Sequence, residues 1–156
     1  ENDLPLGSTG NSWELGCADF EAINFAKGSG VGDGYQNTMD IINNNCGQVN
    51  NYNSITGAQA CIDFESNGYD DWYVPSFNEL VLISENLIKS VNITSGSSPS
   101  DTTSLYNFRR FGWYWSSTFA PYSYPDAYML VVNANPDEFW LTLSSNPARI
   151  RPVRSF

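Results

Sequence analysis

The sequence predicts an α+β fold, with two to three short helices packed on a twisted antiparallel sheet formed mainly by the C-terminal third. Three observations lead there. The chain has 156 residues, the length of one domain. Apolar residues recur at helical spacing as far as about residue 91. From Gly112 onward the pattern changes to short β-type runs separated by Pro, Asn, Asp and Ser.

Residues 1–15 read as an extended lead-in with Pro5 and little periodicity, and residues 16–156 as a single domain. The Gly-rich stretch 28–34 (GSGVGDG) reads as an ordinary turn, because no GK[ST] follows to make it a phosphate loop. Met39, Ile42 and Cys46 fall at helical spacing and predict a helix over 35–46. After an Asn-rich loop, a second helix is predicted over 56–67, with Ala58, Cys61, Ile62 and Phe64 on one side. Asn67-Gly68 stops it, being a pair that tolerates positive φ. Trp72, Tyr73 and Val74 read as a short strand halted at Pro75. Ser76 is a good N-cap with Glu79 as its capping-box partner, opening a helix over 77–91 that places Leu80, Ile83, Leu87 and Val91 on one stripe. A Ser/Thr-rich loop over 92–107 carries the sequon Asn92-Ile93-Thr94. GWYWSST, DAYMLVV, EFWLTLS and ARIRPVRSF are the β-type runs that follow.

The composition excludes several functions. Net charge is −10, with 7 basic residues against 17 acidic ones, so the basic footprint of a nucleic-acid binder is missing and an anionic membrane surface is disfavoured. No apolar run is long enough to span a bilayer. There is no histidine, which removes imidazole acid–base chemistry and every His metal ligand. Only 15% of residues are charged, so the polar surface is built from Asn, Ser, Thr, Gly and Tyr, a composition common outside the cell. No signal peptide is evident; the expectation is that one has been removed or that upstream domains have been trimmed. Cys46 and Cys61 are expected to pair in an oxidising compartment, closing a loop of about 15 residues worth roughly 3 kcal/mol. Three reduced buried thiols, with Cys17, are the alternative.

GYDDWYVPSFNEL, GWYWSST and the terminal RIRPVRSF, in that order, resemble the bacterial extracellular family typified by the C-terminal domain of the Legionella collagen-like adhesin, also known as the Fibrobacter succinogenes major paralogous domain. Gly16-Cys17, GSGVGDGYQNTMDII and AQACIDFESNGYDDW extend the similarity upstream, so that it covers about residues 16–156. The resemblance implies a C-type-lectin-like fold, distantly akin to formylglycine-generating enzymes, with export and a role in adhesion or ligand capture. In it Trp72, Pro75, Trp113, Trp115, Arg151 and Arg154 are architectural, with Arg151 and Arg154 set to pair with Asp70 or Asp71. Variation in some family members concentrates between the YWSST and RPVR segments. The acidic charge of this chain argues against the sulfated polysaccharides that other family adhesins take.

That interval holds the candidate ligand residues: Tyr122, Tyr124, Asp126, Tyr128, Asn133, Asn135, Trp140 and Asn146. Aromatic rings stack on sugar faces, and Asn and Asp reach hydroxyls. Asn135-Pro136-Asp137-Glu138 resembles the first half of a C-type-lectin calcium loop, although no WND-like partner follows; Asp126, Asp137 and Glu138 are the candidate calcium ligands. The expected partner is a glycan or a cell-surface protein, and the expected location extracellular or at the cell surface. A self-assembling surface subunit, a homo-oligomer, is the alternative. An enzyme is not expected: nothing marks Cys46 or Cys61 as an activated thiol, and 17 acids make some close carboxylate pair inevitable.

Overall fold

The structure, a computed structural model, describes residues 25–44, 56–88, 112–119, 126–132, 139–143 and 148–155. These form a mixed α/β unit. Helices α1 (Asp33–Asn43), α2 (Gly57–Ile62) and α3 (Phe77–Ile83) precede strands β1 (Gly112–Phe119), β2 (Asp126–Val132) and β3 (Phe139–Leu143). The strands form an antiparallel sheet in the order β1-β2-β3.

Helix α3 begins where Ser76 accepts a hydrogen bond from Glu79 N and the Glu79 carboxylate accepts one from Ser76 N at 2.7 Å, a complete capping box. The predicted single helix over 77–91 instead changes to a π-helical turn at Ser84–Ile88, and residues 89–91 lie outside the described residues. Helix α2 ends at Ile62, earlier than predicted, because Asp63 caps it and the chain turns back at Asn67-Gly68. Its buried face is built of small residues, Gly57, Ala58, Ala60 and Cys61, which let it sit close against the core.

Helix α1 differs most from its prediction. The buried stripe is Gly34, Asn37, Thr38 and Ile41, with Ile42 partly buried against the core. Two of those four are polar, and both are hydrogen-bonded to backbone. Asn37 accepts from Gly28 N at 3.2 Å and donates to Gly28 O at 2.6 Å. Thr38 Oγ1 accepts from Val74 N at 3.1 Å and donates to Gly34 O at 2.7 Å. A buried polar side chain satisfied on both sides avoids the penalty of lost hydration.

Strand β1 ties the unit together. Its pairing with β2 is regular from Gly112↔Val132 to Trp115↔Met129 and resumes at Phe119↔Ala127, so residues 116–118 stand against Tyr128 alone. This bulge frees the backbone and hydroxyls of Ser116, Ser117 and Thr118 from the ladder, the usual use of such an insertion. On the edge of β1 away from β2, alternate amides find three distant acceptors. Trp115 N donates to Arg149 O, Ser117 N to Pro75 O and Phe119 N to Ala26 O, at 2.8 to 2.9 Å. The expected strand through RIRPVRSF reduces to two isolated bridges, Tyr114↔Arg149 and Tyr73↔Val153. Pro152 has no N–H to continue a ladder. The predicted strand over 72–74 likewise contributes only its Tyr73 bridge.

Beneath β1 the core gathers Ile41, Cys61, Val74, Trp115, Phe119 and Ile150, all nearly or fully buried. Gly34 sits where α1 meets α3. A Cβ there would strike the Glu79 carboxylate and come within 2.8 Å of both Ser76 N and the Tyr73 ring. Elsewhere in a helix Gly→Ala stabilises by up to about 1 kcal/mol, so the sign of the effect is diagnostic. Gly34→Ala is expected to destabilise by about 1–3 kcal/mol through overpacking, measured as a lower urea midpoint; a stabilised variant would contradict this packing.

Candidate functional site

The register of the sheet decides which candidate ligand residues can meet. Strand β1 runs toward Phe119, β2 returns, and β3 runs back, with Asp126 opposite Leu143 and Leu130 opposite Phe139. The segment 120–125 therefore leaves from the end of the sheet that holds Phe119, Asp126 and Leu143, and the segment after Leu143 leaves from that end too. The segment 133–138 leaves from the other end, between Val132 and Phe139. Tyr122, Tyr124 and Asn146 are thus attached at one end, and Asn133, Asn135, Asp137 and Glu138 at the other; all seven lie outside the described residues.

Within the strands, Tyr128 stands opposite Leu141, and Trp140 opposite Met129. Alternate positions of a strand belong to opposite faces. Positions 126 and 128 therefore share one face, and position 140 belongs to the other. One flat face that uses both Tyr128 and Trp140 does not fit this register. Of the expected calcium set, Asp126 opens β2, and Asp137 and Glu138 lie outside the described residues. Among the described residues, no three acidic or cysteine side chains gather as a metal site.

The motif residues have clear positions. Trp115 is fully buried, and Trp72, Pro75 and Arg151 are buried as well. Trp113, two residues before Trp115 on the same strand, is 41% exposed and is no part of the core. Ser117 and Thr118 face the helices. Ser117 Oγ lies 3.2 Å from Pro75 O, to which it donates; Thr118 Oγ1 accepts from Phe77 N at 3.0 Å and donates to Gly28 O at 2.7 Å. The GSGVGDG stretch, expected as an ordinary turn, is where these bonds converge. Its Gly30 O also accepts from Ser76 Oγ at 2.7 Å, and its Gly32 N donates to Glu79 Oε1 at 2.9 Å. Tyr73 Oη donates to the same Glu79 oxygen at 3.2 Å. Burial pushes the Tyr73 phenol above its ordinary range, which keeps it a donor.

Arg154 pairs with Asp71 rather than Asp70, in a two-pronged contact of 2.8 and 2.9 Å. Its guanidinium also stacks over the Tyr69 ring, 3.6 Å from the centroid. Hydrogen bonds from Arg154 hold the Asp71 carboxyl below the usual carboxylate range. Cys61 is a fully buried free thiol whose pKa is pushed well up by desolvation, so the expected bridge to Cys46 is not present in this structure. Cys46 and Cys17 lie outside the described residues.

Comparison with protein-family models, with curated proteins and with solved structures finds no match to this chain. No helix among the described residues is long and apolar enough to cross a membrane.

The ion pair of Asp71 with Arg154 makes a pH-dependent contribution of known sign. A carboxyl whose pKa is lowered on folding stabilises above its unfolded value, about 3.9 for Asp, and that stability is lost as pH falls through the folded value. The stability difference between the wild type and Asp71→Asn is therefore expected to be present at neutral pH and to shrink in acid below the carboxylate range. Chemical denaturation of both proteins across pH measures it; a difference that does not change with pH would assign Asp71 no ionic role.

Proposed function

We propose that this chain is a secreted or cell-surface binding domain of C-type-lectin-like fold that presents the segments between its strands to a ligand, and that it is not an enzyme. The observation that carries this reading is how the polar side chains are spent. Asn37, Thr38, Ser76, Ser117 and Thr118 are buried and hydrogen-bonded to backbone, mostly of distant segments. They build a rigid frame and leave recognition to the Tyr-, Asn- and Asp-rich segments inserted at the ends of an antiparallel sheet. Rigid frames bearing variable polar and aromatic loops are a common way to build binding sites.

A glycan is the first ligand class proposed and a cell-surface protein the second. Tyr122, Tyr124, Asn133, Asn135 and Asn146 are the proposed recognition residues of these segments, with Asp126, Asp137 and Glu138 as the ligands of a bound calcium ion. A glycan array probed with the whole chain, first in calcium and then in chelator, tests the reading. Binding in both conditions is the result of a metal-free lectin; binding lost in chelator assigns Asp137 and Glu138 to an ion. No binding in either condition overturns the glycan reading.

A further inference from the structure

The turn that ends the second helical segment carries a cavity that the reading above does not use. Ser66 and Tyr69 form a two-residue hairpin, each amide donating to the other's carbonyl at 3.0 Å. Asn67 and Gly68 occupy its corner with φ of 55° and 79°, the left-handed pair that closes such a hairpin. Residues Glu65 to Asp70 line an open cavity of about 380 Å³, within the range of roughly 300–1,000 Å³ typical of small-ligand sites.

Three features give this cavity a chemistry. First, it has an aromatic plate. Tyr69 is 46% exposed although Arg154 stacks on its ring, so the ring presents surface to solvent beside the part the guanidinium covers. Second, the plate is braced. Arg154 is itself fixed by Asp71, and Tyr69 O accepts a hydrogen bond from the buried Trp72 Nε1 at 3.0 Å, with Trp72 in turn packed edge-on against Phe64. A ring held in this way loses little freedom when a ligand stacks on it. Third, the other lining residues are polar or acidic apart from Gly68: Glu65, Ser66, Asn67 and Asp70. Carboxylates and an amide beside an aromatic ring suit a polyhydroxylated ring, with its C–H face on Tyr69 and its hydroxyls on the acceptors.

We infer that this cavity is a binding site for a single hexopyranose ring, neutral or amino-bearing, with Tyr69 as the stacking plate and Glu65 and Asp70 as hydroxyl or ammonium acceptors. An anionic sugar is excluded by the two carboxylates and by the net charge of −10. The inference stands apart from the inter-strand segments and fails or succeeds independently of them.

Saturation-transfer NMR with the whole chain tests it, using methyl galactoside, methyl mannoside, glucosamine and glucuronic acid as probes. At least one of the first three is expected to bind, with a dissociation constant on the order of 1 mM, as befits so small a ligand. Glucuronic acid is expected not to bind. Tyr69→Ala is expected to weaken binding about tenfold, while Tyr69→Phe, which keeps the ring, is expected to stay within about threefold of wild type. Asp70→Asn, which leaves the Arg154–Asp71 pair in place, supplies a second variant should Tyr69→Ala fail to fold; it too is expected to weaken binding. Glucosamine binding alone assigns an amino sugar, and binding of the methyl glycosides assigns a neutral one. No signal from any of the first three probes overturns the inference. So does binding of glucuronic acid as strong as theirs, or binding unchanged in both Tyr69→Ala and Asp70→Asn. An array signal unchanged in Tyr69→Ala, together with no saturation transfer from the first three probes, removes this site while leaving the binding-domain reading intact.

Discussion

The outer edge of β1 is the constraint on which the rest of the described structure depends. Its amides at Trp115, Ser117 and Phe119 donate to Arg149, Pro75 and Ala26, acceptors drawn from three separate stretches of the chain. A strand edge left open is a row of unsatisfied donors and a template for unwanted pairing. Here that edge is closed by chain segments that are not themselves regular strands. The bulge at residues 116–118 makes this work on the side-chain level, because it turns Ser117 and Thr118 toward Pro75, Phe77 and Gly28.

A single carboxylate completes the frame. Glu79 accepts from Ser76 N, at the start of α3, and from Gly32 N, at the start of α1. Both helix N-termini carry unpaired donors and positive partial charge, so one acid serves two helices. This explains why Gly34 has no room for a side chain and why the GSGVGDG stretch is held so closely. The C-terminal residues add to this frame through the paired bonds of Tyr73 with Val153 and the Arg154–Asp71 contact.

What was legible in the sequence is what local chemistry writes there. Ser76 with Glu79 three residues on announces a capping box, and Asn67-Gly68 announces a corner with positive φ; both are present. The change from helical to strand-like period marks the order of elements correctly. Hydrophobic spacing announces the helix at Met39 and Ile42, whereas its buried stripe also takes in Asn37 and Thr38. Polar residues that are buried to bond distant backbone leave no periodic signal. The Gly-rich loop was read as a turn for the same reason: its distant partners include residues 76, 78, 79 and 118, and nothing within the loop itself names them. The candidate ligand residues were grouped by their nearness in sequence. Antiparallel strands send successive connections to opposite ends, so the segment with Tyr122 and Tyr124 and the segment with Asn133 and Asn135 are attached at different ends of the sheet.

Native-state hydrogen exchange of the β1 amides tests the central claim most directly. If the outer edge of β1 holds the unit together, the amides of Trp115, Ser117 and Phe119 exchange through one cooperative opening. Their opening free energies then agree and fall along one line as denaturant is raised. Exchange of Ser117 and Phe119 at rates near those of an unstructured peptide, with Trp115 still protected, would contradict it and reduce the Pro75 and Ala26 contacts to incidental ones.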